Sequence, residues 1–86
     1  MSTDLNSLID SLNALSSVRT AKLDERGVAP RIMVVVDVEY VNGDPSYGYV
    51  SDPTPAVERV LTPAGWTFLD ALTEEAGTET WIYTAA

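Results

Sequence analysis

The chain has 86 residues, enough for one domain with one modest hydrophobic core. It carries 13 acidic and 5 basic residues, for a net charge of −8, and it contains no cysteine and no histidine. Disulfides, thiolate metal sites and histidine-dependent catalysis are therefore excluded. No apolar run reaches the roughly 20 residues of a membrane-spanning helix, and the N-terminus lacks the pattern of a signal peptide. We expect a single intracellular domain, residues 1–86, that contacts no membrane.

The first element in the chain is a predicted amphipathic helix over residues 4–23. Its apolar residues recur at helical spacing: Leu5, Leu8, Ile9, Leu12, Leu15 and Val18. Arg19 and Lys22 lie late in this segment, as the helix dipole favours. Gly27 and Pro30 mark its end, because glycine is common just past a helix and proline does not continue one.

Residues 31–41 follow as the strongest predicted strand. Apolar residues alternate along one face: Ile32, Val34, Val36, Val38 and Tyr40. Residues 42–46 predict a turn, and 47–51 predict a return strand. Residues 52–55 predict a loop, because two prolines so close do not fit a central strand.

The last third of the chain predicts a strand, a helix and a strand. Residues 56–62 favour an edge strand, although Pro55 would equally suit the first turn of a helix. Thr62 then caps a predicted helix over 62–76. The buried side of this helix is formed by Trp66, Leu69, Leu72 and Ala76, with Phe68 beside it. Residues 78–84 alternate Trp81 and Tyr83 against Ile82 and predict the last strand.

The predicted fold class is α+β. It has a small antiparallel sheet of three to four strands with two helices packed on one face, in the order α-β-β-β-α-β.

Residues 59–72, RVLTPAGWTFLDAL, carry a pattern found in known families. Leucine-threonine, then glycine, then spaced apolar residues resembles the junction between the wing and the last helix of winged-helix proteins, including repressors of the multiple-antibiotic-resistance type. A family of short prophage proteins is similar through the pattern LT..G..FLDA. That pattern is formed by Leu61, Thr62, Gly65, Phe68, Leu69, Asp70 and Ala71. The resemblance implies a winged-helix-like regulator or a phage origin.

The rest of the chain departs from a winged helix. A winged helix has a helix-turn-helix before its wing, with a recognition helix for the major groove, whereas residues 32–50 predict strands. The basic residues that would face DNA lie on or just after the first predicted helix: Arg19, Lys22, Arg26 and Arg31. We therefore interpret 62–76 as a packing helix, and we expect no direct binding of nucleic acid.

The acidic excess lies wholly in residues 32–86, which hold nine acidic residues and one basic residue, Arg59. Such a surface repels phosphate backbones and attracts basic proteins, although solubility alone would also explain it. Paired carboxylates such as Asp37, Glu39 and Asp44 can hold Mg²⁺ or share acid and base roles. No nucleophile or accompanying base stands at a known spacing, so we expect no enzyme, no cofactor and no metal site.

The sequence thus predicts a non-enzymatic protein that works by docking on a basic protein surface. The candidate partner-binding residues are Asp37, Glu39, Asp44, Asp52, Glu58, Glu74, Glu75 and Glu79. In the first hypothesis they form the acidic face of a phage or mobile-element protein. That face would occupy a nucleic-acid groove of a host defence complex in the host cytoplasm, as a stoichiometric inhibitor analogous to small anti-CRISPR proteins that mimic DNA.

Two alternatives remain open at the level of sequence. In the second hypothesis the protein is a structural or assembly component of a virion, or a small homo-oligomer in which the first helix packs on a neighbour. The third candidate, a winged-helix-like regulator, rests on the resemblance of residues 59–72.

Overall fold

The computed structural model describes residues 5–27, 29–75 and 77–85, and for Glu74 and Glu75 it describes the backbone alone. The helices and strands are α1 (Leu5–Asn13), β1 (Val18–Asp24), β2 (Arg31–Asp37), α2 (Thr54–Leu61), β3 (Trp66–Glu75) and β4 (Thr78–Ala85). Short 3-10 turns are formed by Val41–Gly43, Pro45–Tyr47 and Thr62–Ala64. Within these ranges no helix is long and apolar enough to cross a membrane.

The four strands form one antiparallel sheet in the spatial order β1-β2-β4-β3. Both helices pack on the same face of this sheet, since their buried leucines and valine belong to one core cluster with the inward residues of the strands. The predicted fold class, α+β with two helices on an antiparallel sheet, is confirmed. Along the chain the elements run α-β-β-α-β-β, because a helix stands where the third strand was placed and a strand stands where the second helix was placed.

The core lies between the helices and the inner face of the sheet. It consists of Leu8, Leu12, Val18, Ala21, Ile32, Val34, Val36, Val38, Val57, Leu61, Trp66, Trp81 and Tyr83. The strand predicted over residues 31–41 forms as β2 but ends at Asp37. Within it the predicted alternation is confirmed, because Ile32, Val34 and Val36 are fully buried. Each such side chain stabilises the fold by about 1.5–3 kcal/mol relative to exposure.

The first helix is shorter than the predicted 4–23, ending at Asn13. The Asn13 amide nitrogen donates to the carbonyl of Ala21, and its amide oxygen accepts from the Ala21 N–H at 2.9 Å. Asn13 therefore joins the end of α1 to the edge strand β1. Val18 and the residues after it pair with β2 instead of continuing the helix, since β-branched residues suit a strand and the serines in between are weak helix formers.

The segment between β2 and α2 also differs from the prediction. The predicted return strand 47–51 is absent, and only the isolated bridge between Tyr40 and Tyr49 remains of it. The two 3-10 turns, Val41–Gly43 and Pro45–Tyr47, instead occupy the predicted turn 42–46. The predicted edge strand 56–62 is instead part of α2, whose first turn contains Pro55. The alternative that Pro55 left open, a helical turn, is the one that forms, and the N–H of Thr54 bonds to the Asp52 carboxylate at 2.9 Å.

The predicted packing helix 62–76 is wrong. After the turn Thr62–Ala64, Gly65 takes a left-handed conformation with φ 87° that ends the helical stretch. The chain then runs as the edge strand β3 beside β4, with Trp66 buried as expected. The other predicted buried residues are exposed, at 53% for Phe68, 46% for Leu69 and 40% for Leu72, and Ala76 lies outside the described residues. Aromatic residues and threonines favour a strand here once β4 offers a pairing partner.

Candidate functional site: a buried carboxylate beside an aromatic cleft

The most distinctive group in the structure is the carboxylate of Glu79, a residue that is only 8% exposed. Three donors bond to it: the Tyr40 hydroxyl at 2.6 Å, the Tyr49 hydroxyl at 2.9 Å and the Trp81 indole N–H at 2.9 Å. Glu79 lies on the inner face of β4 because strand side chains alternate and Trp81 and Tyr83 share that face. The confirmed strand β4 therefore places this carboxylate at the margin of the core.

The two tyrosines that bond to Glu79 come from the segment that follows β2. Tyr40 and Tyr49 form an isolated bridge, and their rings stack with centroids 5.9 Å apart. Backbone bonds from Val50 to Glu39 and from Val41 to Gly48 hold this segment as a closed loop. The loop is thereby fixed to the sheet through side chains, without a regular strand.

The hydrogen bonds keep Glu79 ionised. Burial acts to raise the pKa of its carboxyl, but the bonds from Trp81, Tyr40 and Tyr49 outweigh burial and lower the pKa below its usual value. The same bond to Glu79, with burial, raises the pKa of the Tyr40 hydroxyl. Burial and the bond to Glu79 raise the pKa of Tyr49. The cluster thus holds one negative charge that is satisfied by neutral donors.

A cleft of about 230 Å³ opens beside this cluster, between α2 and the inner face of β3 and β4. Its walls are formed by Tyr49, Thr54, Glu58, Phe68, Ala71, Glu79, Trp81 and Tyr83. Tyr83 is 1% exposed, and its hydroxyl has no hydrogen-bond partner among the described residues. Burial and the nearby charge of Glu58 raise the pKa of Tyr83 to about 12, so this hydroxyl stays neutral.

The eight sequence-predicted partner-binding residues do not form a single face. Asp37 is exposed and pairs with Arg19 at 2.8 Å, and Glu39 is exposed two residues later. Asp44 is exposed and accepts from the N–H of Ser46 at 2.9 Å. These residues follow one another at the end of β2 and in the loop after it.

The other five predicted partner-binding residues are placed differently. Asp52 is exposed just before α2, where its carboxylate accepts from the Thr54 N–H at 2.9 Å. Glu58 is exposed on α2 and lines the cleft. Glu79 is buried in the tyrosine cluster, so it does not contribute to an exposed acidic face. The backbone of Glu75 pairs with Thr78, which in turn pairs with Asp37 at the end of β2. The side chains of Glu74 and Glu75 lie outside the described part of the structure.

Two further sequence predictions concern metal and DNA. Among the described residues no group of three or more acidic side chains is arranged to hold a metal ion. The basic residues predicted on the first helix lie instead on β1 and in the turn after it, where Arg26 pairs with Asp24 at 3.0 Å. No helix in the described ranges carries this basic cluster.

Sequence reasoning missed the Glu79 cluster, although a signal for it was present. The alternation that placed Trp81 and Tyr83 on the buried face extends back by two residues to Glu79. An ionisable residue at an inward position requires hydrogen-bond donors. Tyr40 and Tyr49 are separated from it by 39 and 30 positions in the chain, so the pattern indicates the requirement without identifying the donors.

The lowered pKa of Glu79 predicts acid sensitivity. A carboxyl whose pKa is lower in the folded state than in the unfolded state stabilises the fold fully above its unfolded pKa, about 4.3 for glutamate. That stability is lost as the pH falls through the folded pKa. We expect the free energy of unfolding to decrease below about pH 4.3, and to decrease less steeply in Glu79→Gln, as measured by urea unfolding at successive pH values. Equal slopes in both proteins would contradict this role.

Comparison with protein-family models, with curated proteins and with solved structures found no match to this chain.

Proposed function

We propose that this chain is a non-enzymatic protein that binds a basic protein surface and competes there with nucleic acid, as a stoichiometric inhibitor. The observation that supports it most is the acidic end, which we define as Asp37, Glu39, Asp44 and Asp52. All four are exposed and follow one another within 16 residues of β2 and its loop. The loop is closed by backbone bonds, so the carboxylates are presented on a fixed scaffold.

The charges of this end are held in place by local hydrogen bonds. Asp44 and Asp52 each accept from a backbone N–H two residues later, and the two bonds from Ser46 lower the pKa of Asp44. Ordered carboxylates steer association with a positively charged partner, and this steering is weakened by salt. The remaining excess charge of the chain repels free nucleic acid, which is consistent with a protein partner.

The test compares two doubly substituted proteins with equal net charge. Glu39→Gln with Asp44→Asn removes two charges from the acidic end, and asparagine retains the oxygen that caps the turn. Asp10→Asn with Glu25→Gln removes two exposed charges elsewhere. Each protein is immobilised and exposed to a nuclease-treated bacterial lysate, with salt or duplex DNA added as competitor.

We expect the wild-type protein and the Asp10/Glu25 variant to retain the same basic proteins, and both salt and DNA to release them. The Glu39/Asp44 variant should retain about tenfold less, since each charge contributes up to about 1 kcal/mol at an exposed site. Equal retention by all three proteins, or retention that DNA does not affect, would contradict docking through the acidic end.

A second candidate, a homodimer, is favoured by the open face of the sheet. Directly paired residues on this face form a row across all four strands: Lys22, Met33, Ile82 and Asp70. The next row is Thr20, Val35, Thr80 and Leu72. The apolar residues of these rows are only partly buried or exposed, and no helix of the described chain covers them.

The first row is complementary to itself. A two-fold axis parallel to the strands would stack two open faces and bring Lys22 of one copy opposite Asp70 of the other. Met33 would then lie over Ile82 of the second copy. Such an isologous contact uses each charged pair twice.

Charge reversal tests the homodimer. Lys22→Glu or Asp70→Lys alone should weaken a dimer at least about tenfold, because like charges then face each other twice. The double variant should restore it. Sedimentation equilibrium measures the association, and a wild-type protein that stays monomeric at millimolar concentration would contradict the dimer.

A further inference from the structure

The cleft beside Glu79 has walls of two kinds. Aromatic rings from three elements line it, namely Tyr49, Phe68, Trp81 and Tyr83. Phe68 is 53% exposed and meets the Tyr83 ring edge to face at 5.7 Å. Two carboxylates, Glu58 and Glu79, complete the lining. Aromatic faces combined with carboxylates attract cations, since the faces of the rings are electrically negative.

The charged residues that line the cleft, Glu58 and Glu79, are both acidic. The charge of Asp52 acts on both Glu79 and Tyr49, and that of Glu58 acts on Tyr83. The groups that bond to the Glu79 carboxylate are all neutral. The described lining of the cleft includes no basic residue, so no cation within it neutralises Glu58 and Glu79.

The Tyr83 hydroxyl is an independent sign of a ligand. It is buried in the lining of the cleft and has no hydrogen-bond partner among the described residues. Buried hydroxyls are nearly always hydrogen-bonded, because a buried polar group without a partner loses its bonds to water and gains none in return. A donor placed in the cleft would satisfy its lone pairs.

The size of the cleft limits the ligand. About 230 Å³ is below the roughly 300–1,000 Å³ typical of drug-sized ligand pockets, so one side-chain-sized group fits. We propose that the cleft binds an alkylguanidinium group, either the side chain of an arginine in another protein or a free small guanidine. A planar guanidinium stacks on aromatic rings and donates several N–H bonds, whereas an ammonium is more strongly hydrated. None of the lining residues that the structure describes belongs to the acidic end, although the charge of Asp52 acts on Glu79 and Tyr49.

The test is a titration of the ¹⁵N-labelled full chain followed by nuclear magnetic resonance. Trp81 lines the cleft and its indole N–H bonds to Glu79, so the signal of that N–H is expected to shift when a ligand binds. The probe is N-acetyl-arginine amide, and the neutral control is N-acetyl-citrulline amide, which has nearly the same shape. We expect a saturable shift with the arginine derivative and binding at least about tenfold weaker with the citrulline derivative, since a desolvated cation–π contact contributes about 1–2 kcal/mol.

Two variants show whether binding uses the proposed groups. Glu58→Gln removes an exposed charge from α2, and Tyr83→Phe removes a hydroxyl that has no hydrogen-bond partner in the described part of the chain, so both are expected to fold. Each should weaken binding at least about threefold, whereas Glu25→Gln, which removes a charge at the other end of the sheet, should not. The absence of a saturable shift, equal binding of citrulline, or unchanged affinity in both variants would overturn the proposal.

A third ligand, free arginine, distinguishes the two sources of the guanidinium. Tighter binding of free arginine than of the blocked derivative indicates a small-molecule ligand whose amino and carboxylate groups are also recognised. Equal or weaker binding indicates the side chain of a protein. Either result supports a guanidinium site, and neither depends on what the acidic end binds.

Discussion

Replacing Glu79 with alanine is expected to lower the free energy of unfolding by about 2–4 kcal/mol, because the buried Trp81 N–H is left without an acceptor and the packing of the glutamate side chain is lost. The substitution removes the acceptor of three hydrogen bonds at once. The Trp81 N–H is left buried, while the two tyrosine hydroxyls are partly exposed and regain bonds to water. Since each kcal/mol shifts the melting temperature of a domain of this size by about 4–8 °C, this one substitution should lower it by at least about 8 °C.

Urea unfolding monitored by tryptophan fluorescence measures the effect, and Glu39→Ala is the matched control. Glu39 is an exposed glutamate, so its loss should change the free energy of unfolding by no more than about 0.5 kcal/mol. Glu79→Gln should lie between the two, because an amide offers one oxygen to donors that had two. Equal destabilisation by Glu79→Ala and Glu39→Ala would show that the cluster does not stabilise the fold.

The same network supports the walls of the cleft. Glu79 fixes the Trp81 indole and the Tyr49 ring, and both rings line the cavity. The loss of Glu79 would therefore remove a charge and release two rings together. Glu58→Gln and Tyr83→Phe are the better probes of ligand binding for this reason, because neither residue bonds to the network.

The parts of the fold that sequence could predict are those with an unambiguous period. In residues 31–41 apolar side chains recur at every second position, and in residues 78–84 two aromatic residues alternate with an isoleucine. Strands β2 and β4 form in these two segments, as expected. These two strands are the centre of the sheet. The edge strands β1 and β3 pair with these central strands. The α+β class follows from the two central strands together with the helical spacing of apolar residues over 5–12.

The elements that sequence reasoning misplaced depend on long-range pairing. Val18 fits the helical period of α1 and equally a strand, and pairing with Val36 selects the strand. Residues 66–72 place apolar side chains at spacings of three, as a helix does. In the structure these residues do not share a face, because Trp66 is buried whereas Leu69 and Leu72 are exposed. A register shift between Phe68 and Asp70 interrupts the pairing of β3 with β4, and such a bulge changes which residues share a face. The partner of each strand is not encoded locally.

The Glu79 site shows the same limit for function. The sequence shows that acidic residues are concentrated in 32–86, but it does not distinguish one of them from another, so the candidate partner-binding residues are assigned together to one face. The fold instead distributes them among an ion pair, two turn caps, a cleft wall and a buried cluster. Burial, which separates Glu79 from the exposed carboxylates, depends on where the loop after β2 closes over β4.

The pair Leu61→Ala and Leu69→Ala tests the corrected structure of residues 59–72 directly. Leu61 is fully buried at the end of α2, whereas Leu69 is 46% exposed on β3. Both substitutions remove the same atoms, so the difference between them reports burial alone. Leu61→Ala should lower the free energy of unfolding by about 2–5 kcal/mol through the lost contacts and the cavity left behind.

Leu69→Ala should cost less than about 1 kcal/mol, as expected for an exposed position. A packing helix over 62–76 would give the opposite result for Leu69, because that residue would face the core and its truncation would cost as much as that of Leu61. Urea unfolding of both variants at low micromolar concentration, where a weak dimer is dissociated, separates the two structures. Equal and large losses in the free energy of unfolding would support a helix over 62–76. A loss confined to Leu61→Ala supports the edge strand β3, which forms one wall of the guanidinium cleft.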